Sequence, residues 1–299
     1  MTKKLLLSII VVLLITNVAT MIFWKNDGSD KVADDDTEID VNKPVATIDG
    51  HDVTYEDWMT SLRKNYGKKE LKALINHQVV KKLAEEQNIT ISDKVIERDI
   101  AFLTTMQGLT SEKKMNDLEE QWREDITYRY QLEALLADGI QVSDAEVQSY
   151  YTKYDRQYQF SESMQLSHIV VPDMDTAEKV WEELQDGATF QLLAKEYSID
   201  EDTRDNGGYL GFNSSETEFL PSEYFEVAEG LEDYSYSEPF AINSGVAILY
   251  LHKSLPDITF SYEELQPYIR NELALQTTNQ NLIADPLWEK LDIEWVYDE

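Results

Sequence analysis

The chain has 299 residues, 58 of them acidic and 26 Lys or Arg, for a formal net charge of −32. Nucleic-acid phosphates repel such a chain, which excludes a DNA- or RNA-binding role, and the same charge keeps a soluble domain off an anionic membrane. The absence of cysteine removes disulfides, thiolate nucleophiles, Cys-ligated zinc and lipid attachment at cysteine, while a hydrophobic content of 42% is enough for real cores.

Lys3 and Lys4 precede an apolar run from Leu5 to Phe23, interrupted by Ser8, Thr16, Asn17 and Thr20. About 20 mostly apolar residues cross a hydrocarbon core as a helix. Lysines before the run and acids after it place the N-terminus in the cytoplasm and the remainder outside. Residues 1–25 are therefore expected to be a transmembrane signal anchor. A cleaved secretory signal is the alternative, but Asn17-Val18-Ala19 is a poor cleavage site. Residues 26–43, rich in carboxylates and poor in large apolar groups, read as an acidic flexible tether.

Order is expected from Pro44, with a hairpin turning at Asp49-Gly50 and a helix from about Tyr55. Leu71, Leu74, Ile75, Val79, Val80, Leu83 and Ala84 recur at spacings of three and four and mark one face of a helix over 68–87. Ser92-Asp93 opens a helix to about Gln107, and a long helical stretch runs from Ser111 to about Asp138. Ser143 and Glu146 form a capping box for another helix ending near Tyr154. This half, residues 44–160, is helical and carries no catalytic cluster.

Beyond residue 160 the pattern changes. Residues 164–172, MQLSHIVVP, read as a strand ended by proline. Helices over 176–185 and 189–197, a glycine turn at Asn206-Gly207-Gly208, a short helix near 221–229, and strands at 237–242 and 246–252 follow. That order is an α+β unit. The tail returns to helix behind a second capping box, Ser261 and Glu264, with Pro267 expected to kink its first turns. Ile293, Trp295 and Tyr297 alternate as a closing strand would. A helical front and a helical tail imply one domain into which the α+β unit is inserted.

None of the four histidines has metal-ligand spacing, no G-x-S-x-G elbow occurs, and Gly207-Gly208 lacks a P-loop lysine. No metal or cofactor is implied. His168 stands out inside an apolar strand, where a histidine taken alone is more often a satisfied core residue than a catalyst.

The motifs LSHIVV, FQLLAKEYSID, NGGYLGF and SEPFAINSG, in order over residues 162–255, resemble the parvulin-type peptidyl-prolyl isomerase domain. The flanking helices and anchor resemble the extracytoplasmic foldases of Gram-positive bacteria and related periplasmic chaperones. The resemblance implies an antiparallel sheet with surrounding helices over 161–255. It also implies a chaperone-like helical domain over 44–160, completed by a helix and strand over 256–299. Position by position, His168 matches the family's first active-site histidine, and Asp200 the cysteine or aspartate facing the substrate carbonyl. Leu220 and Tyr224 match the residues that hold the proline ring, with Phe212 beside them, and Ser244 matches a polar residue near the last strand. The second family histidine is Ala247 here, a usual acidic position is Tyr209, and a usual threonine is Ile242.

The implied function is noncovalent catalysis of prolyl rotation in unfolded, newly exported polypeptides at the outer face of the cytoplasmic membrane. With Ala247 removing a partner of His168, either Ser244 takes its place or His168 sits differently. The competing reading is a membrane-tethered chaperone whose parvulin unit only binds proline-containing segments. The stretch after His168 reads PDMDTAEK, with no arginine cluster for a phosphorylated substrate.

Overall fold

The computed structural model describes residues 31–34, 37–214, 219–278 and 281–297. The expected anchor lies outside the described residues. Among those described, no helix is long and apolar enough to cross a membrane. The described residues divide into two compact units, those up to residue 75 together with those from 294 on, and those between 76 and 293.

In the first unit, β1 (Lys31–Asp34) and β2 (Thr37–Asp40) pair antiparallel, with Lys31 opposite Asp40. The acidic stretch read as a flexible tether therefore contains a hairpin. Local backbone pairing needs no buried core, so a carboxylate-rich composition does not preclude it. A second hairpin, β3 (Ala46–Ile48) and β4 (His51–Val53), turns at Asp49-Gly50 as the dipeptide predicts. Helix α1 (Tyr55–Leu62) starts at a capping box made by Thr54 and Asp57. It continues through a π-helical turn, Arg63–Gly67, into α2 (Lys68–Glu86). The expected strand at the C-terminus is not formed. Its alternation is met instead by aromatic packing, with the Trp295 and Tyr297 rings 5.6 Å apart at 68°.

The second unit holds α3 (Asp93–Thr105), α4 (Glu112–Ala137), α5 (Asp144–Tyr154) and α9 (Tyr262–Thr278), each within a residue or two of the predicted limits at most ends. Both capping boxes form: Ser143 N–H donates to Glu146 at 2.9 Å, and Ser261 N–H to Glu264 at 2.8 Å. Val95, Ile96, Ile100, Ile126, Val147, Leu265 and Ile269 share one core, so the C-terminal helix closes on the helices that precede the sheet. Where the chain enters and leaves the sheet region, Phe160 and Ile258 exchange two backbone hydrogen bonds of 2.9 Å.

The sheet between those points runs β6 (Tyr209–Asn213), β5 (Ser163–Val171), β9 (Gly245–Leu255), all antiparallel. Two short strands, β7 (Ser235–Tyr236) and β8 (Phe240–Ile242), share the far edge of β9. A single strand was expected over 237–242. Pro239 lacks the N–H a ladder needs, and the chain breaks there. The pleat sends Ile169, Val171, Val246 and Ile248 to one face, under α6 (Met174–Gln185) and α7 (Phe190–Tyr197). Leu166, Ala247, Leu249 and Leu251 go to the other face, under α8 (Ser222–Ala228).

Candidate active site

His168 lies on the α8 face of β5, opposite Leu249 of β9. Both of its ring nitrogens are engaged. Nε2 is 2.8 Å from Asp200 Oδ2 and 2.9 Å from Thr203 Oγ1, and Nδ1 is 2.8 Å from the Tyr224 hydroxyl.

The loop that carries Asp200 and Thr203 follows α7 and is laced to β5. Ile199 N–H donates to Val170 O at 2.8 Å, and the Thr203 carbonyl accepts from Gly208 N–H at 2.9 Å. His168 N–H in turn donates to Gly208 O at 2.8 Å. A Cβ at Gly208 would stand 1.9 Å from His168 O, so this approach of two backbones requires glycine. From the other side, α8 supplies Tyr224, which is 1% exposed, so the ring expected to hold a substrate proline is buried against His168 instead. Its ring meets His168 edge-on at 5.7 Å and Phe240 edge-on at 5.8 Å.

The network assigns the protons. Thr203 donates its hydroxyl to Asp200 Oδ2. His168 Nε2–H then donates to the same carboxylate, which leaves Nδ1 to accept from Tyr224 O–H. The imidazole is neutral: burial lowers its pKa, and the bond and charge of Asp200 only partly offset that. Burial raises the Asp200 pKa, but bonds from Thr203 and His168 outweigh it and hold the carboxyl below its ordinary value. Burial and the Asp200 charge push the Tyr224 phenol up, so it stays a donor. Replacing Tyr224 with phenylalanine keeps the ring and strands Nδ1, and should cost about 1–2 kcal/mol of stability. Equilibrium denaturation of the sheet checks it.

Of the residues named from sequence, His168, Asp200 and Tyr224 come together, and Leu220 packs beside Tyr224 in the same apolar cluster. Two do not. Phe212 pairs with Gln165, out of phase with His168, and packs against Ala101, Phe160 and Leu255. Ser244 is exposed in the turn before β9, five positions from Leu249 and thus roughly 16 Å along the strand. It is too far away to replace the missing histidine. Ala247 is fully buried opposite Val170, and the polar partner of His168 is Tyr224 instead. Sequence reading missed Thr203, whose only signal is its place three residues after Asp200. It also missed Phe240, half-buried on the Tyr224 cluster and edge-on to its ring.

Residues 174–253 match the PPIC-type PPIase domain of the rotamases. The putative peptidyl-prolyl cis-trans isomerase YacD of Bacillus subtilis is 34% identical over 256 residues, covering 85% of this chain and 86% of that one. Foldase protein PrsA of Halalkalibacterium halodurans is 28% identical over 269 residues, covering 85% and 77%. The crystal structure of PrsA from Bacillus subtilis is 26% identical and covers 87% of this chain and 96% of that chain, with a TM-score of 0.32. With a relative 34% identical over 85% of its length and the matching domain, the chain belongs to the parvulin-type peptidyl-prolyl cis-trans isomerases of the Gram-positive PrsA foldase kind.

Proposed function

We propose that Asp200, aimed by His168, Thr203 and Tyr224, is the catalytic group of a foldase that rotates prolyl bonds in exported chains. The observation that carries this assignment is the difference in exposure across the hydrogen-bonded pair. The Asp200 side chain is 28% exposed, whereas His168 behind it is 9% exposed and bonded at both nitrogens. Asp200 is the group that meets a substrate, and His168 is a positioning residue.

Rotation about a prolyl bond must overcome the loss of amide resonance, about 18–20 kcal/mol for peptide bonds in general. The planar amide carries more negative charge on its oxygen than the twisted one does. A fixed carboxylate near that oxygen therefore disfavours the planar ground state relative to the twisted transition state. Leu220 and Phe240, half-buried beside Tyr224, form the apolar wall against which a pyrrolidine ring is held while the preceding residue turns. No bond breaks, and no nucleophile is needed.

The remaining parts of the reading are the anchor at residues 1–25, which places the enzyme at the outer face of the cytoplasmic membrane, and the chaperone-like role of the helical region. Supporting the latter, α9, which follows the paired Phe160 and Ile258, packs with α4 and α5, which precede them. The second reading, a tethered chaperone with a weak parvulin unit, is favoured by one observation. Ala247 puts a methyl group where the family has its second histidine.

Proline-limited refolding of a reporter protein by the full chain separates the two. Asp200→Ala should lower kcat/KM on the order of tenfold, a barrier change of about 1.4 kcal/mol, and His168→Ala should approach the same loss. Full activity in both variants would sink these roles. No acceleration by the unaltered chain would leave the binding reading standing.

A further inference from the structure

Residues 63–72 read Arg-Lys-Asn-Tyr-Gly-Lys-Lys-Glu-Leu-Lys, five cations and one acid in a chain of net charge −32. They occupy the π-helical turn and the start of α2. Arg63, Lys64, Lys68 and Lys69 are all exposed, and no ion pair among the described residues engages any of the four. Arg63 donates only to the Thr60 hydroxyl, at 3.3 Å. Lys68 Nζ lies 5.9 Å from the Trp295 ring centroid. With Asn65, Tyr66 and Tyr297 these cations border an open cleft of about 930 Å³. A π turn is rare and concentrates at functional positions. Here it accompanies a run of like charges, four of which, Arg63, Lys64, Lys68 and Lys69, make no ion pair among the described residues.

We propose that this cluster docks on an anionic phospholipid surface. Charge complementarity supplies the attraction, and two further features favour a membrane over a single bound anion. The cleft that the cations line lies open to solvent instead of enclosing a single ion. Tyr66, 58% exposed, stands among them, and an amphipathic ring of that kind settles at headgroup level. The proposal rests on the anchor reading for its geometry. Pro44 follows Phe23 by 21 residues, at most roughly 75 Å of extended chain, so the cluster works within reach of the bilayer the anchor would enter. Net charge repels the rest of the protein, and the cluster then decides which face turns to the lipid. Each Lys or Arg near an anionic leaflet is worth roughly fivefold in partitioning, within a screening length of about 8 Å.

The full chain, which has no cysteine, accepts a single label at Ser61→Cys, an exposed helical position beside the cluster. The labelled protein is placed in nanodiscs of phosphatidylcholine, alone or with about a third phosphatidylglycerol, carrying a headgroup quencher. Quenching is expected with phosphatidylglycerol, with at least about a fivefold loss in phosphatidylcholine alone or at about 0.5 M salt. It should also vanish in R63E/K64E/K68E/K69E and survive in K81E/K82E/K195E/K290E, which changes net charge equally. Equal quenching in both lipids, or no effect of the first variant, overturns the proposal. Shielding of the label from aqueous acrylamide in phosphatidylcholine, released by the first variant, would mean that the chain's own acidic segment covers the cluster, and also overturns it. Elution of the unaltered chain with the discs at high salt tests the anchor separately.

Discussion

Gly208→Ala should be among the most damaging single substitutions in the sheet region, destabilising it by on the order of 4 kcal/mol and lowering isomerase activity with it. Gly208 has φ +76°, and a Cβ there would stand 1.9 Å from His168 O and 3.0 Å from its carbonyl carbon. Both atoms belong to a strand buried at eight of its nine positions, so nothing nearby can give way by a rotamer change. Relief requires separating the loop from β5. That breaks the 2.8 Å bond from His168 N–H to Gly208 O and disturbs the 2.9 Å bond from Gly208 N–H to Thr203 O. Both bonds hold groups of the Asp200 network. Gly187→Ala is the control: its φ is +95° and no atom lies within 4 Å of the added carbon, leaving only backbone strain of about 1–2 kcal/mol. Hydrogen exchange at β5 and β9, alongside the refolding assay, reads both effects. Equal losses in the two variants would show that strain, and not the backbone contact, sets the cost.

Acid should weaken the same sheet through His252, by about 2–3 kcal/mol between pH 6.5 and 4. This ring lies on the face opposite His168, with Nε2 2.8 Å from the Ser167 hydroxyl and the Tyr250 ring 4.5 Å away. Burial pushes its pKa down to about 4, and no carboxylate offsets it. In the unfolded chain the histidine takes a proton near pH 6.5, whereas in the folded chain it does not until about pH 4. The unfolded state therefore binds more protons in that window. Stability is fully present above pH 6.5 and is lost as pH falls toward 4. The gap corresponds to about 3.4 kcal/mol at 1.36 kcal/mol per unit, reduced here because the ring is only half-buried. The buried His168, also held low, adds in the same direction. Glu133, raised by burial, acts in the opposite one. The difference between the unaltered chain and His252→Gln isolates the effect, since glutamine keeps an acceptor for Ser167 without titrating. Denaturant midpoints at several pH values should fall more steeply for the unaltered chain. Parallel falls would exclude His252.

Both predictions depend on contacts between segments far apart in the chain, and this is where sequence reading reached its limit. Helix limits were legible because capping boxes and apolar spacing are local: Ser143 with Glu146, and Ser261 with Glu264, form as their spacing requires. Strand β5 and the Asp49-Gly50 hairpin were legible for the same reason. The family motifs named His168 and Asp200 as residues of one site, but their 2.8 Å contact was not legible in the sequence. Composition alone excluded thiol chemistry and nucleic acid. Tertiary structure decided the rest. The strand register sends Phe212 away from the site, and the length of β9 takes Ser244 beyond reach of His168. The acidic stretch pairs with itself at Lys31–Asp40, which net charge does not report. Tyr224 and Thr203 lie 56 and 35 residues from His168, and no local pattern announces that their hydroxyls meet its two nitrogens. Local spacing specifies which segments are helix or strand. Which polar atoms end in one another's reach is set by how those segments pack, because burial leaves each donor and acceptor only the partners that packing provides.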